Sequence, residues 1–326
     1  MTLPDRVAKA LSSAPTIRRS FRHMRKDCAA IVMYHGIVSQ KMETENWCQL
    51  HVDAFDEQLT FLQENYTVVS LREIAEQIVT GKSLPDNAVA ITFDDAFRSI
   101  ATLAYPLLKA RSMRATVFVV TANSDSRQPA WPDKLFSAIQ TTHKAELSFE
   151  GAVFGLRSGP EKSSSYANIN RTLKTMNAER AMECFEALLD QLMPFEAIAP
   201  GGVFATLSWN EIEHLSKEGL LEFGSHTHTH RILSRCSLDV QRLELRRSRD
   251  LLRDHGCAAD LFAYPNGTPE DFSAATKRLL QELGYKCAVS SIPGLNELGT
   301  DRYELRRVPV GADTTIEMFG MRMAGL

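Results

Sequence analysis

VAITFDDAFRSIATLAYPLLKARSMRATVFVV, residues 89–120, sets the architecture. An apolar run, Val89–Phe93, stops at two adjacent carboxylates, Asp94 and Asp95. Apolar residues at three- and four-residue steps then mark a helix over Ile100–Ala110, and a second apolar run, Ala115–Val120, follows. Two short strands joined by a helix predict a crossover unit and hence a parallel sheet.

The same rhythm extends both ways. Ala29–Met33, Leu220–Phe223, Leu261–Tyr264, Cys287–Ser290 and Arg307–Val310 read as further strands. Asp53–Asn65, Leu71–Val79, Ser208–Lys217, Leu238–His255 and Phe272–Leu283 carry helical spacing, and Gly256 and Gly284 mark two helix ends. Seven such units in 326 residues predict an α/β barrel rather than an open sheet. No GxGxxG or GxxxxGK[ST] loop occurs, which argues against nucleotide binding. The interval 123–207 breaks the rhythm. It holds Trp131-Pro132-Asp133, a Gly/Ser-rich run from Gly151 to Ser165, a helical pattern Ala178–Leu192, then Pro194, Pro200, Gly201 and Gly202. It reads as an insertion between two barrel strands: a lid, a substrate wall or a subunit contact. The expected plan is a basic N-terminal segment, 1–28, followed by a barrel, 29–326, carrying that insertion.

A hydrophobic content of 44% supports one large core, and a formal charge of −3 gives no reason to expect nucleic acid as a partner. Six cysteines lie far apart with no CxxC, as for free thiols in a reducing compartment. Without an apolar leader or a run of about 20 apolar residues, a cytoplasmic location is expected. Residues 3–26 are basic, with Arg6, Lys9, Arg18, Arg19, Arg22, Arg25 and Lys26 interleaved by Val7, Leu11, Ile17, Phe21 and Met24. They offer a peripheral contact with an anionic membrane, or else a solvated or docked helix.

Just past Leu220–Phe223 the chain reads Gly224-Ser225-His226-Thr227-His228-Thr229-His230. Carboxylates at one strand end and imidazoles at another both fall on the rim where α/β barrels gather catalytic groups. An Asp-Asp pair alone is weak, and so is HxxxH. Together they suit a three-ligand metal site, one carboxylate and two imidazoles, with a spare carboxylate to accept a proton from water. That combination points to metal-assisted hydrolysis. His228 is expected behind the ligands or exposed.

At these residues the chain resembles the polysaccharide deacetylases, the NodB-homology or carbohydrate esterase 4 group. Thr92-Phe93-Asp94-Asp95-Ala96 is similar to the TFDD motif, and Ser225 to His230 to the SH[ST]xxH motif. Phe262-Ala263-Tyr264-Pro265-Asn266-Gly267 resembles the third motif in the FAYPxG form of a bacterial subset. Met33-Tyr34-His35-Gly36, Gly284 to Val289 and Leu305 to Val308 are similar to stretches that recur in that subset. The resemblance spans about residues 29 to 312. It implies a distorted (β/α)7 barrel that removes an acyl group, usually acetyl, from an N-acylated amino sugar in a glycan or oligosaccharide. Asp95, His226 and His230 would hold the metal, zinc by default, with nickel, cobalt or iron suiting the same donors. Asp94 would be the general base. A backbone N–H near Asn266 would help hold the oxyanion, and Tyr264 and Pro265 would shape the groove.

Two departures from the family pattern stand out. Ala263 occupies the place of an arginine that orients the base; Arg306 and Arg307 are expected at the substrate site, where either would supply that charge, or else as surface ion-pair partners. The C-terminal LxH motif is absent, since no histidine follows His255. Relatives acting on poly-N-acetylglucosamine carry a similar early Tyr-His pair, so His35 is the expected acid. Competing readings are a small-molecule amide hydrolase, such as a deformylase, and a catalytically dead glycan-binding barrel. An iron oxygenase would suit the same ligands but not the strand–helix alternation.

Overall fold

The computed structural model describes residues 28–42, 44–82, 85–195 and 202–325. The basic segment expected to meet a membrane lies outside them. Seven strands carry the core: β1 (Cys28–Tyr34), β2 (Ala88–Phe93), β3 (Ala115–Val119), β4 (Leu221–Ser225), β5 (Leu261–Ala263), β6 (Cys287–Pro293) and β7 (Leu305–Pro309). Each pairs in parallel with the next, and β7 pairs with β1, so the sheet closes into the expected seven-stranded barrel. The closure is uneven. β4 and β5 share one register pair, Ser225 with Phe262, and the β6–β7 register slips between Val289 and Pro293. Strands buried on both faces read as continuous apolar runs, which is why all seven were visible in the sequence.

The helices are α1 (Val52–Asn65), α2 (Leu71–Thr80), α3 (Tyr105–Ala110), α4 (Asn123–Ser126), α5 (Trp131–Thr141), α6 (Gly159–Thr175), α7 (Ala178–Leu192), α8 (Trp209–Lys217), α9 (Leu238–Asp254), α10 (Ala274–Glu282) and α11 (Ile316–Met323). The segment expected as one helix from Ile100 starts instead as a π-turn, Ile100–Ala104, ahead of α3. Pro106 has no N–H to donate, and the wider turn spares that bond. Leu71, Ile74 and Ile78 of α2 pack with Ala29, Ile31, Ala90, Leu261 and Val289 from the strands. Arg72 on α2 donates to both oxygens of Asp260, just before β5, at 2.6 Å. This helix therefore closes the end of the barrel away from the strand C-termini. No described helix is long and apolar enough to cross a membrane, and no two of the six cysteines are joined in a disulfide.

Between β3 and β4 lie α4 to α7 and a hairpin, Glu146–Phe149 with Ala152–Gly155. Leu135, Ile139, Leu147, Ile169, Leu173, Phe185 and Leu188 give this region a core of its own. The Gly/Ser-rich run from Gly151 to Ser165 is part turn and strand, part helix. Gly151 turns the hairpin at φ 76°, but from Gly159 the chain is helical for 17 residues. Ser158 caps that helix by accepting from the Glu161 N–H, and Ser165 Oγ donates to Gly155 O at 2.8 Å. Burial of Ile169 and Leu173 outweighs the weak helix propensity of Gly, Ser and Asn.

Candidate functional site

At the end of β2, the Asp94 N–H donates to Tyr34 O at 2.9 Å and so extends the β1–β2 ladder. Regular strand alternation would send the next side chain to the opposite face. Asp95 and Ala96 instead adopt left-handed conformations, with φ of 65° and 48°. The bend brings both carboxylates into one cavity. It is held from behind, where Ala96 O accepts from Leu207 N at 2.9 Å and Arg98 N donates to Ala205 O at 2.7 Å.

At the end of β4, the His226 N–H donates to Val119 O at 2.9 Å, and Thr227 and His230 curl the loop at φ 64° and 58°. Buried Glu244 on α9 pins this curl. Its Oε2 accepts the N–H groups of His228 and Thr229 at 2.9 and 2.8 Å, and its Oε1 accepts the Thr229 hydroxyl at 2.7 Å. His228 faces Thr121, with Nδ1 2.9 Å from Oγ1, and joins no ligand cluster.

Nδ1 of His226 sits 2.8 Å from Ala263 O. A carbonyl only accepts, so Nδ1 carries the proton and Nε2 presents its lone pair. The Nε2 atoms of His226 and His230 stand 3.7 and 3.4 Å from Asp95 Oδ1. One donor atom from each of the three residues lies within 4.8 Å of the others. Asp95 Oδ1 is buried and has no hydrogen-bond partner among the described residues. An acceptor left so among lone pairs is costly, and a divalent cation would satisfy all three donors at once. Burial drives the Asp95 carboxyl up to about 7 against the pull of His226, with Asp133 and Asp94 adding to the rise. Burial also pushes His230 well below the usual imidazole range, which keeps it neutral and able to ligate.

Asp94 is held from the other side of the barrel. Arg307 of β7 donates to its Oδ1 and Oδ2 at 2.7 Å each, and its Nε donates to Ser290 O at 2.6 Å. Burial acts to raise the Asp94 carboxyl, but the Arg307 charge and its paired hydrogen bonds outweigh this and hold it well below the usual range. Arg307 thus supplies the charge missing at Ala263. It does not line the cavity, so in place of the expected substrate contact it holds the Asp94 carboxylate. Arg306 and Pro265, also expected against substrate, lie outside the cavity. Strand alternation turns Arg306 to the exposed outer face, and Pro265 is buried in a turn where its carbonyl accepts from Gly267 N at 2.7 Å.

The cavity measures about 310 Å3. His35 lines it, edge-on to Trp47 with centroids 4.7 Å apart. Burial lowers His35 to about 4, against the opposing pull of Asp94. Tyr264 stacks on Phe272 at 4.1 Å and donates to Tyr303 O at 2.8 Å. Asn266 and Gly267 turn the chain with φ of 61° and 73°. A Cβ at Gly267 would meet Ser291 N at 2.8 Å, so only glycine fits.

Much of the remaining wall comes from residues that sequence reasoning missed, among them Trp47, Cys48, Asp133 on α5, and Tyr166, Asn170 and Lys174 on α6. Lys174 donates to Asn266 Oδ1 at 2.8 Å, and the Asn266 amide donates to Asp271 at 2.6 Å. The four-residue spacing of Tyr166, Asn170 and Lys174 beside Ile169 and Leu173 is a legible signal once α6 is known to be a helix. Asp133 carried no signal beyond its Trp-Pro neighbours.

A sequence profile described as polysaccharide deacetylase matches residues 81–288. Over 80 residues the chain is 34% identical to the poly-beta-1,6-N-acetyl-D-glucosamine N-deacetylase of Escherichia coli (strain K12), a stretch covering 24% of this chain and 12% of that protein. The chain thus matches only about an eighth of that relative's length. Among solved structures, Streptococcus pyogenes deacetylase PplD in complex with acetate is similar at a TM-score of 0.62 and 20% identity, covering 91% of this chain and 98% of that one. A de-N-acetylase from Aggregatibacter actinomycetemcomitans is similar at 0.58 and 17% identity, covering 91% and 100%. At these identities the likeness is one of fold.

Proposed function

The chain belongs to the polysaccharide deacetylase family, and from that premise we propose a metal-dependent hydrolase that removes an N-acyl group, chiefly acetyl, from an amino sugar in a bacterial glycan or glycan precursor. The observation that carries this reading is the buried cluster of Asp95, His226 and His230 beside an Asp94 locked by Arg307. The cluster suits zinc, nickel, cobalt or iron, and such an ion would supply Lewis-acid polarisation of the amide and a more acidic water.

The chain's own groups do the rest. Asp94, kept ionised by Arg307, takes a proton from the attacking water. Burial would otherwise protonate this carboxyl, so Arg307 keeps the base competent without touching substrate. The Asn266 backbone N–H helps hold the developing oxyanion. His35 hands a proton to the departing nitrogen. Burial outweighs the pull of Asp94 and keeps the resting ring neutral, so His35 would take up that proton from solvent and hold it only in passing. Tyr264 shapes the sugar seat. Contact of residues 3–26 with an anionic membrane would bring the site to lipid-linked sugars; the supporting feature is the basic–apolar interleaving of that segment.

A sugar deformylase on the same barrel is the competing reading, and the modest cavity favours weighing it. The test compares acetate release from N-acetylglucosamine oligomers with formate release from N-formylglucosamine, using protein loaded with one divalent ion. Acetate release supports the de-N-acetylase, and formate alone supports the alternative. Release of neither contradicts both.

A further inference from the structure

We infer that the insertion confines this enzyme to a terminal amino-sugar unit, seated by Asp133 and Lys174, rather than to units along the interior of a glycan. The inference rests on the hydrolase reading above and narrows its substrate class.

The cavity sits at the C-terminal ends of the barrel strands, and α5 and α6, together with Trp47 and Cys48, close the rest of its wall. An interior unit carries glycan on two sides and needs two ways out. A helical wall along one side closes off one such exit. At about 310 Å3 the space is at the small end of the roughly 300–1,000 Å3 typical of ligand sites. That suits one acylated sugar rather than an extended strand.

The wall is also chemically suited to a sugar. Lys174 Nζ has three donors, and among the described residues only Asn266 Oδ1, at 2.8 Å, accepts from it. Asp133 is 7% exposed, yet among the described residues its carboxylate accepts only long hydrogen bonds, 3.5 Å from Asn46 Nδ2 and 3.8 Å from Cys48 Sγ. A carboxylate can accept about four hydrogen bonds. A buried acceptor beside a half-buried donor, each with capacity to spare, suits a partner that offers both functions, and ring hydroxyls do so. Tyr166, one face of α6 with Asn170 and Lys174, adds an aromatic surface for the C–H face of a ring.

The direct test needs no variant. A defined pentamer of β-1,6-linked N-acetylglucosamine and a simple N-acetylglucosamine glycoside are each incubated with the metal-loaded chain, and free amines are placed by mass spectrometry. The expected result is one amine, at one end of the pentamer, with kcat/KM for the glycoside within about tenfold of the pentamer value. Amines at interior positions overturn the inference while leaving the hydrolase reading intact. Amines from neither substrate overturn that reading, and the inference falls with it. Lys174→Met and Asp133→Asn should each raise KM about tenfold or more, the effect of losing a hydrogen bond to a charged group, with a smaller change in kcat and the same bound metal per chain. Unchanged KM in both variants rules out the seat.

Discussion

Replacing Arg307 with methionine removes the guanidinium but keeps a chain of similar reach. The parent side chain holds both oxygens of Asp94 at 2.7 Å and Ser290 O at 2.6 Å. Arg307 is 1% exposed and Asp94 3%, so water cannot take over these bonds. Breaking a buried pair from one side costs about 3–5 kcal/mol, because the remaining carboxylate stays charged in a poor medium or must take up a proton. At roughly 2 °C per kcal/mol for a chain of this size, the melting temperature should fall by about 6–10 °C. The pH dependence has a definite sign. Asp94 is depressed in the folded state, so the pair contributes its full stability above the ordinary carboxylate range and loses it as pH falls below about 4. The gap between parent and Arg307→Met should therefore be widest at neutral pH and narrow under acid. Catalysis should follow. Without Arg307, burial governs Asp94 and raises it, so the acid limb of kcat/KM moves to higher pH and the rate at neutrality falls by about 10²–10⁴. Arg307→Lys keeps a charge but not the fork, and should fall between. Thermal melts from pH 3 to 8 and pH–rate profiles read both effects. A gap that stays constant with pH, together with an unmoved acid limb, would refute the reasoning.

Other perturbations separate the roles. Asp94→Asn should bind metal as the parent does and lose about 10²–10⁴ in kcat; full activity would remove Asp94 as the base. Glu244→Gln loosens the curl between His226 and His230 and should weaken metal affinity about 10–100-fold in a chelator competition, and an unchanged affinity would show that the loop holds itself. His35→Asn should slow turnover by about 10²–10⁴ at constant metal content, and a rate unchanged across the pH range would take His35 out of the mechanism.

How far the sequence reached depends on which forces act locally. The seven strands were readable because a parallel barrel buries both faces of each strand, and the site residues because they sit directly on strand ends. Arg307 could not be told from Arg306 beforehand. Alternation puts one of any adjacent pair inside, but the strand begins at Leu305, two residues earlier than expected, and which of the pair faces Asp94 depends on its pairing with Cys287–Pro293. Helix α6 was hidden by glycine, proline and serine whose local preferences are overridden by burial of Ile169 and Leu173. Asp133 and Lys174 reach the cavity only through long-range packing of the insertion, which no local pattern records. The left-handed bend at Asp95 was equally invisible, because a strand pattern says nothing about the residue after its end.

The most direct measurement pairs metal content with amine release on a single preparation, taken as purified, after chelation and after reloading, for the parent and for His226→Ala. Asp95, His226 and His230 acting as one ligand set predict one divalent ion per chain, turnover that disappears and returns with it, and a variant with neither. Full turnover by the stripped parent, or metal and activity both retained in His226→Ala, would contradict it.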